Sequence, residues 1–488
     1  MRQRRPRRDR RARPTRHRGR RVVSDSHRRR RVAVVGGGIA GLAAARALLT
    51  TRDVSNSGMP GLDVTVLEAD TVLGGKIRTS PFAGHPAVDE GPDAFLARLP
   101  WATALAREVG LGDTLVSPQA GTASVWWGRM HDIPGGLLLG MPTDVMALAR
   151  SRLISWPGKV RAAIEPLLPR TPLDHDSLGG YVRARFGDQV HERLVDPLVG
   201  SIYAADTDRF SLAAVPQIAD LAARSRSVLV ASRTTPAPPP TAGPVFYAPS
   251  GGLGAMVEAI AADVVARGGT IRLGSTSTTI EQDGRGWRVD GESFDAVIIA
   301  TPAAAAASLL TGAAPEAASA LGRVEVADVV MVTLAVPRST WPARLRGRSG
   351  YLVPTPQQRR VTACSFGSQK WAHWSSPDHE ILRVSLGRDG LPVLGLDDET
   401  LLRSAVDEVG QHLGFDLQPT AHRLTRWAGA FPQYRPRHAE RVRALEADLP
   451  EGITVCGASH HGIGIPACVN SAQRAAATTL ARLSMMEE

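Results

Sequence analysis

The sequence predicts an α/β protein built on a parallel, dinucleotide-binding sheet, and three stretches predict it. VAVVGGGIAGLAAARAL, Val32 to Leu48, runs from a strand through a glycine cluster into an Ala/Leu-rich helix. LDVTVLEA, Leu62 to Ala69, is a second strand with Glu68 at its end, completing the strand–helix–strand order that a parallel sheet requires. The last segment, ITVCGASHHGIGIPACVNSAQRAAATTLARLS, repeats the order of strand, glycine loop and helix.

Gly36, Gly38 and Gly41 fit G-x-G-x-x-G, and each position answers a physical demand. Gly36 permits the tight turn, Gly38 leaves room for a pyrophosphate against backbone N–H groups, and Gly41 lets the helix pack close to its strand. Glu68 follows Gly41 at a strand end, where a carboxylate accepts hydrogen bonds from ribose hydroxyls. An acidic residue there disfavours a 2′-phosphate, so NADP is not expected.

Further along, Leu, Ile and Val recur at helical intervals over Thr143 to Leu168 and Ser177 to Leu198. Ser225 to Thr241 ends in TTPAPPPTAG and reads as an exposed linker, because proline removes helical hydrogen bonds. GGLGAMVEAIAADVVARGG is a helix with a glycine stop, TIRLG and GWRVDG are short strands, and DAVIIATP is a buried strand entering a loop. Val324 to Val336 and Ile381 to Leu386 are further strands, and ETLLRSAVDEVGQHLG is a capped helix.

The net charge of +11 is unevenly spread: residues 1–31 hold 16 arginines against Asp9 and Asp25, more than the whole excess, so the rest is slightly acidic. That arm lacks the apolar content to offset ordering entropy and is expected to be disordered, with no specific nucleic acid as partner. Its twin arginines precede no apolar signal core, so export is not expected. Cys364, Cys456 and Cys468 show no metal-ligand spacing, which fits a reduced cytoplasmic protein with no metal site. Cys468 is read as a buried bystander thiol. No apolar stretch reaches the roughly 18–20 residues of a spanning helix, so any membrane contact is expected to be peripheral.

The passages LEADTVLGGKIRT, VDEGPDAFL, YAPSGGLGAMVEAIAADVVARGGTIRLG and DAVIIATP resemble the conserved segments of the flavin amine oxidase and protoporphyrinogen oxidase superfamily. The resemblance implies FAD, with Gly36, Gly37, Gly38, Ile39, Ala40 and Gly41 at the phosphates. It places Glu68, Ala69, Lys76, Gly91 and Pro92 beside the cofactor. Ser277, Trp427, Ile463, Gly464 and Ile465 complete the expected contacts, Ser277 standing where relatives often carry valine.

Within that superfamily, SLGGYVRARFGDQVHERLVDPLVGSIYAADTDRFSL, FPQYRPRH and CGASHHGIGIPACVNSAQRAA resemble porphyrinogen oxidases. MPTDVMALARSRLISWPGKVRAAIEPLL is similar to the bacterial coproporphyrinogen III oxidases. The implied fold is a discontinuous Rossmann-like FAD-binding domain with a mixed-sheet substrate domain and a helical insertion. Its expected parts are a basic arm over 1–30, FAD-binding segments over 31–100, 249–312 and 450–488, and substrate-domain segments over 101–129 and 313–449. A helical insertion over 130–224 and a proline-rich linker over 225–248 complete the division.

The implied activity is oxygen-dependent, six-electron oxidation of coproporphyrinogen III to coproporphyrin III in haem biosynthesis, in the cytoplasm, with a downstream haem-pathway enzyme as a further partner. Protoporphyrinogen IX is the alternative substrate. A flavin amine oxidase, and a polyanion-binding protein with a structural flavin, are more remote readings. Hydride loss from a meso carbon leaves a conjugated cation and needs positioning more than a strong base. The candidates for side-chain chemistry are correspondingly few. Asp93 would orient substrate or close an Asx turn, and His460 or His461 would titrate beside the flavin. Arg129, Arg435 and Arg437 would meet propionates.

Overall fold

The structure, a computed structural model, describes residues 29–54, 61–119, 121–234 and 243–485. The arginine-rich arm up to residue 28 and the proline-rich stretch 235–242 lie outside the described residues, and the expectations placed on them go with them.

Five parallel strands from separated parts of the chain form one sheet, in the order Thr270–Arg272, Leu62–Leu67, Arg30–Val35, Ala296–Ile299, Ile453–Val455. Val35 pairs with Leu67 and with Ile299, and Ile299 pairs with Val455, so four strand ends lie level. The residues that leave those ends, Gly36, Glu68, Ala300 and Cys456, therefore share one sheet edge, where open α/β sheets bind ligands.

Both faces of the sheet's centre are covered, which is why its inner strands carry the apolar runs VAVV and AVII. Period-two alternation sends Val32 and Val34 into a core with the opening helix Ile39–Val54, the helix Gly254–Ala266 and the closing helix Ile465–Met485. Ala33 and Val35 point the other way, toward the helices Ala303–Leu310 and Pro315–Gly322 and an antiparallel meander, Ile280 to Phe294.

A second sheet of seven strands runs in the order Ala421–Pro432, Val326–Pro337, His379–Leu386, Val361–Phe366, Arg348–Leu352, Thr122–Trp126, Met130–Asp132. It is mixed: Arg348–Leu352 and Thr122–Trp126 are parallel and the other neighbours antiparallel. The helix Asp398–Leu413 seals one face, started by Asp397, whose side chain accepts from Thr400 N at 2.7 Å, and stopped by left-handed Gly414.

The helical part begins at Val145 and extends to Thr234, which moves both expected edges of the 130–224 insertion. Met130–Asp132 is the last strand of the seven-stranded sheet, and Phe246–Pro249 pairs with two short strands instead of extending a linker. Within the expected linker, Val228–Thr234 is a helix. Its cap comes from far away: Glu165 accepts from Val228 N at 3.0 Å, Leu229 N at 3.3 Å and Ser227 Oγ at 2.5 Å. A cap supplied by tertiary contact is invisible to local composition.

Glu165 is fully buried and also receives Arg185 Nε at 2.9 Å. Removing one member strands the other charge in the core, a loss of about 3–5 kcal/mol. Arg185→Met should therefore lower unfolding stability by that amount in denaturant titration, and Arg185→Met/Glu165→Met should recover part of it.

Candidate active site

The glycine turn is built by contact. A Cβ at Gly41 would overlap the Gly36 carbonyl, and one at Gly36, whose φ is +110°, would lie 2.9 Å from Ala300 O. At Gly38 the space is open, with only Gly74 O within reach, at 3.9 Å. Gly37 N donates to Glu68 Oε2 at 2.5 Å, and Asp70 N to Glu68 Oε1 at 2.8 Å, so the carboxylate at the second strand end braces the turn. Ala69 follows it, exposed, and Ser275 N reaches Glu68 O at 2.8 Å, bringing the Ser277 segment alongside.

Gly74 N donates to Gly37 O at 3.0 Å, and the chain then passes Lys76, whose Nζ donates to the carbonyls of Gly429 and Ala430. Burial lowers the pKa of this ammonium. A Cβ at Gly91 would sit 3.2 Å from the Trp427 ring, and Trp427 Nε1 donates to Glu90 O at 3.0 Å. Pro92 follows, exposed. Opposite, Gly457 approaches Ala40, and Ile465 joins Ile39 and Ala40 in one core, with Ile463 and Gly464 in the intervening loop. Gly36 to Gly41, Glu68, Gly74 and Gly457 are thus joined by contacts at one edge of the sheet.

Asp93 is locked in a buried ion cluster. Lys370 Nζ lies 3.0 Å from both its oxygens, Arg383 Nη1 is 3.2 Å from Oδ2, and Trp371 Nε1 donates at 3.1 Å. Burial alone would raise its pKa, but Lys370 and Arg383 outweigh that and hold the carboxyl below its usual range. Arg383 also donates to Gly91 O, so the Gly91–Asp93 turn is fastened to the seven-stranded sheet. Asp93 thus ties its loop to residues nearly three hundred positions later in the chain.

His461 pairs with Glu446 of the helix His438–Asp448 at 2.7 Å. His460 is buried, and desolvation lowers its pKa to about 4, so it stays neutral near pH 7. Its carbonyl lies 2.9 Å from His438 Nε2, the His438 ring stacks on Tyr434 at 4.0 Å, and Tyr434 donates its hydroxyl to Ala458 O. The Phe431–His438 segment thereby supports the loop before the closing helix from below. Arg435 is already matched by Asp389 at 2.7 Å and Glu325 at 2.6 Å, Arg437 supplies its backbone N–H to Asp176 at 2.7 Å, and Arg129 lies by the far edge of the seven-stranded sheet.

The family model for flavin containing amine oxidoreductase matches residues 39–480. This chain belongs to that family. It is an FAD-dependent oxidoreductase. It is 33% identical over 464 residues to coproporphyrinogen III oxidase of Mycobacterium bovis, covering 93% of this chain and 98% of the relative. Against coproporphyrinogen III oxidase of Bacillus subtilis it is 30% identical over 475 residues, with 93% and 99% covered. A solved structure from Exiguobacterium sp. 255-15, named for protoporphyrinogen oxidase, superposes with a TM-score of 0.81 at 29% identity, covering 94% of this chain and 100% of its own.

The residues fit FAD. The open backbone at Gly38, the Glu68 carboxylate beside it, and a second glycine loop against Ala40 form a cradle that a side chain at Gly38 would enter. Among the described residues no group of three or more His, Cys, Asp or Glu could hold a metal ion, and no helix is long and apolar enough to cross a membrane. Cys468, near the start of the closing helix, is buried and its pKa is raised to about 12, so the helix end does not activate it.

The sequence reading missed the residues that hold this rim in place. Lys370, Trp371 and Arg383 had no spacing signal. Neither had Asp89, whose Oδ1 accepts from Leu253 N at 2.9 Å beside the helix Gly254–Ala266, and whose pKa burial raises to about 6.

Two outcomes follow from the geometry. Gly41→Ala should abolish flavin retention, read as lost absorbance near the flavin visible band in purified protein, while Gly38→Ala should weaken FAD binding with the fold intact. Asp93→Asn leaves buried Arg383 and part-buried Lys370 short of a counter-charge, so the melting temperature should fall by several degrees. A substrate-contact role would instead raise KM at unchanged melting temperature.

Proposed function

We propose that this chain oxidises coproporphyrinogen III to coproporphyrin III, a step of haem biosynthesis, using molecular oxygen as the final acceptor. The observation that carries the reading is near-full-length similarity to coproporphyrinogen III oxidases at 30–33% identity. Three two-electron rounds would consume three oxygen molecules and release three of hydrogen peroxide, which balances six electrons and six protons.

Bound FAD would supply the hydride acceptor. The chain supplies position. The segment His191–Gly200 is wound as a π-helix around Pro197, and Ala204 turns back in the left-handed region at φ +46°. π-Turns of this kind concentrate at functional sites. Here the turn brings Gly200 and Ala204 against Val329, Gly387 and Phe431 of the seven-stranded sheet, around a cavity of about 30 Å³. Such a space holds water, not a macrocycle, so the proposed reading places no more than the edge of a substrate here.

The polar end of this seam is Asp196, which accepts from Thr207 Oγ1 at 2.7 Å and from Thr355, and lies 3.5 Å from Arg388. Arg388 also donates to Thr355 Oγ1 at 2.6 Å. Arg388 is buried and also donates to the Asp389 carbonyl, and in the proposed reading it is the guanidinium assigned to a propionate.

Purified protein should be offered coproporphyrinogen III and protoporphyrinogen IX separately in air. Porphyrin fluorescence and peroxide should appear together at a 1:3 ratio, several-fold faster with the tetracarboxylate. A preference for protoporphyrinogen IX replaces the substrate, and flavin bleaching by polyamines without porphyrin fluorescence replaces the reaction. Arg388→Ala should raise KM for coproporphyrinogen III about tenfold with a smaller change in kcat, the expected loss for one charge-assisted contact.

A further inference from the structure

The seven-stranded sheet has one edge at the flavin rim, the strand Ala421–Pro432 that carries Trp427. Its other edge, Met130–Asp132, is six strand positions away, roughly 29 Å at about 4.8 Å per spacing. Against that far edge lies the segment Ala147–Arg152, leaving a groove of about 570 Å³. Small-molecule sites span roughly 300–1,000 Å³.

The groove is mainly polar, with a few apolar side chains beside unanswered positive charge. Met130, Ile133, Pro134 and Ala147 supply apolar surface, and four arginines stand around it. Arg348 is engaged, donating to Asp132 Oδ1 at 2.5 Å and Ser124 Oγ at 2.8 Å. Among the described residues the guanidiniums of Arg129, Arg150 and Arg152 have no hydrogen-bond or ion-pair partner. Asp132 is the one carboxylate in the lining, and Arg348 occupies it. Burial, and next the charge of Arg129, lower the pKa of His131, so the groove's own positive field is felt inside it. A solitary surface arginine is usually just solvated. Arg129, Arg150 and Arg152 are exposed along one groove whose single acid is already paired, which suits them to an anion, and planar guanidiniums favour carboxylates.

We propose that this groove is a second binding site, for a polycarboxylate with an apolar body, and that its occupant is a porphyrin bearing several propionates. The choice of porphyrin rests on the proposed function, whereas the anion chemistry rests on the groove alone. Distance separates it from the flavin rim, so it holds a porphyrin without taking part in oxidation.

The test titrates FAD-loaded full-length protein with coproporphyrin III, following porphyrin fluorescence and stoichiometry. Two sites per chain are expected, and Arg150→Ala/Arg152→Ala should weaken one at least tenfold while porphyrinogen turnover stays within twofold. Arg150→Gln/Arg152→Gln, which keeps side-chain length, should do the same, and the tetramethyl ester of coproporphyrin should never fill the second site. A single site in the native protein, unchanged stoichiometry in both variants, or equal filling by the ester overturns the proposal. If no porphyrinogen is oxidised, the proposed function fails, yet the titration still decides the groove.

Discussion

The contact between residue 41 and the carbonyl of Gly36 is the constraint on which the other parts of the site depend. No side chain fits there, so the opening helix lies against its own strand at backbone distance. That approach sets where the helix starts, and the start sets the rest. Gly38 is left facing open space, Gly37 N meets Glu68, and Ala40 is presented to Gly457 from the other end of the chain. A shift of even half an ångström would be shared by all three segments, because the parallel register ties their strand ends level.

What the sequence revealed and what it hid divide along physical lines. The strands, the glycine turns and the Asp397-to-Gly414 helix were legible because period, turn chemistry and caps are written within a few residues. The three-part assembly of the flavin sheet was legible through resemblance. Anchors that join distant segments were not. Asp93 stands in a recognisable loop, but Lys370, Trp371 and Arg383 come nearly three hundred residues later, and nothing local marks them as its partners. The helix Val228–Thr234 was hidden for the same reason, since Glu165 caps it from another part of the fold.

These anchors share a chemistry. Lys76, Lys159 and Lys370 are the only lysines among 58 basic residues, so nearly every long-range cation is arginine. A guanidinium offers five donors in a plane and can tie two acceptors at once. Arg383 joins Asp93 to Gly91 O, Arg435 joins Asp389 to Glu325, and Arg46 joins Asp263 to Glu108. The guanidiniums are largely buried while Glu108 and Glu325 are half-exposed, so such ties contribute little net stability but penalise any arrangement that separates them. They act as locators: each one fixes a loop of one part against an element of another.

That role explains why the site offers so few groups for proton transfer. His460 is neutral, His461 is committed to Glu446, and Asp93 is held ionised by two cations. These three groups are spent on shape. A reaction that needed a strong base to remove a proton would be poorly served by such a site. One in which hydride departure leaves charge spread over conjugated pyrroles needs its carbon held at the acceptor and little more. The engagement of His460, His461 and Asp93 in locating loops accords with the proposed function, in which the chain's part is chiefly to position its substrate.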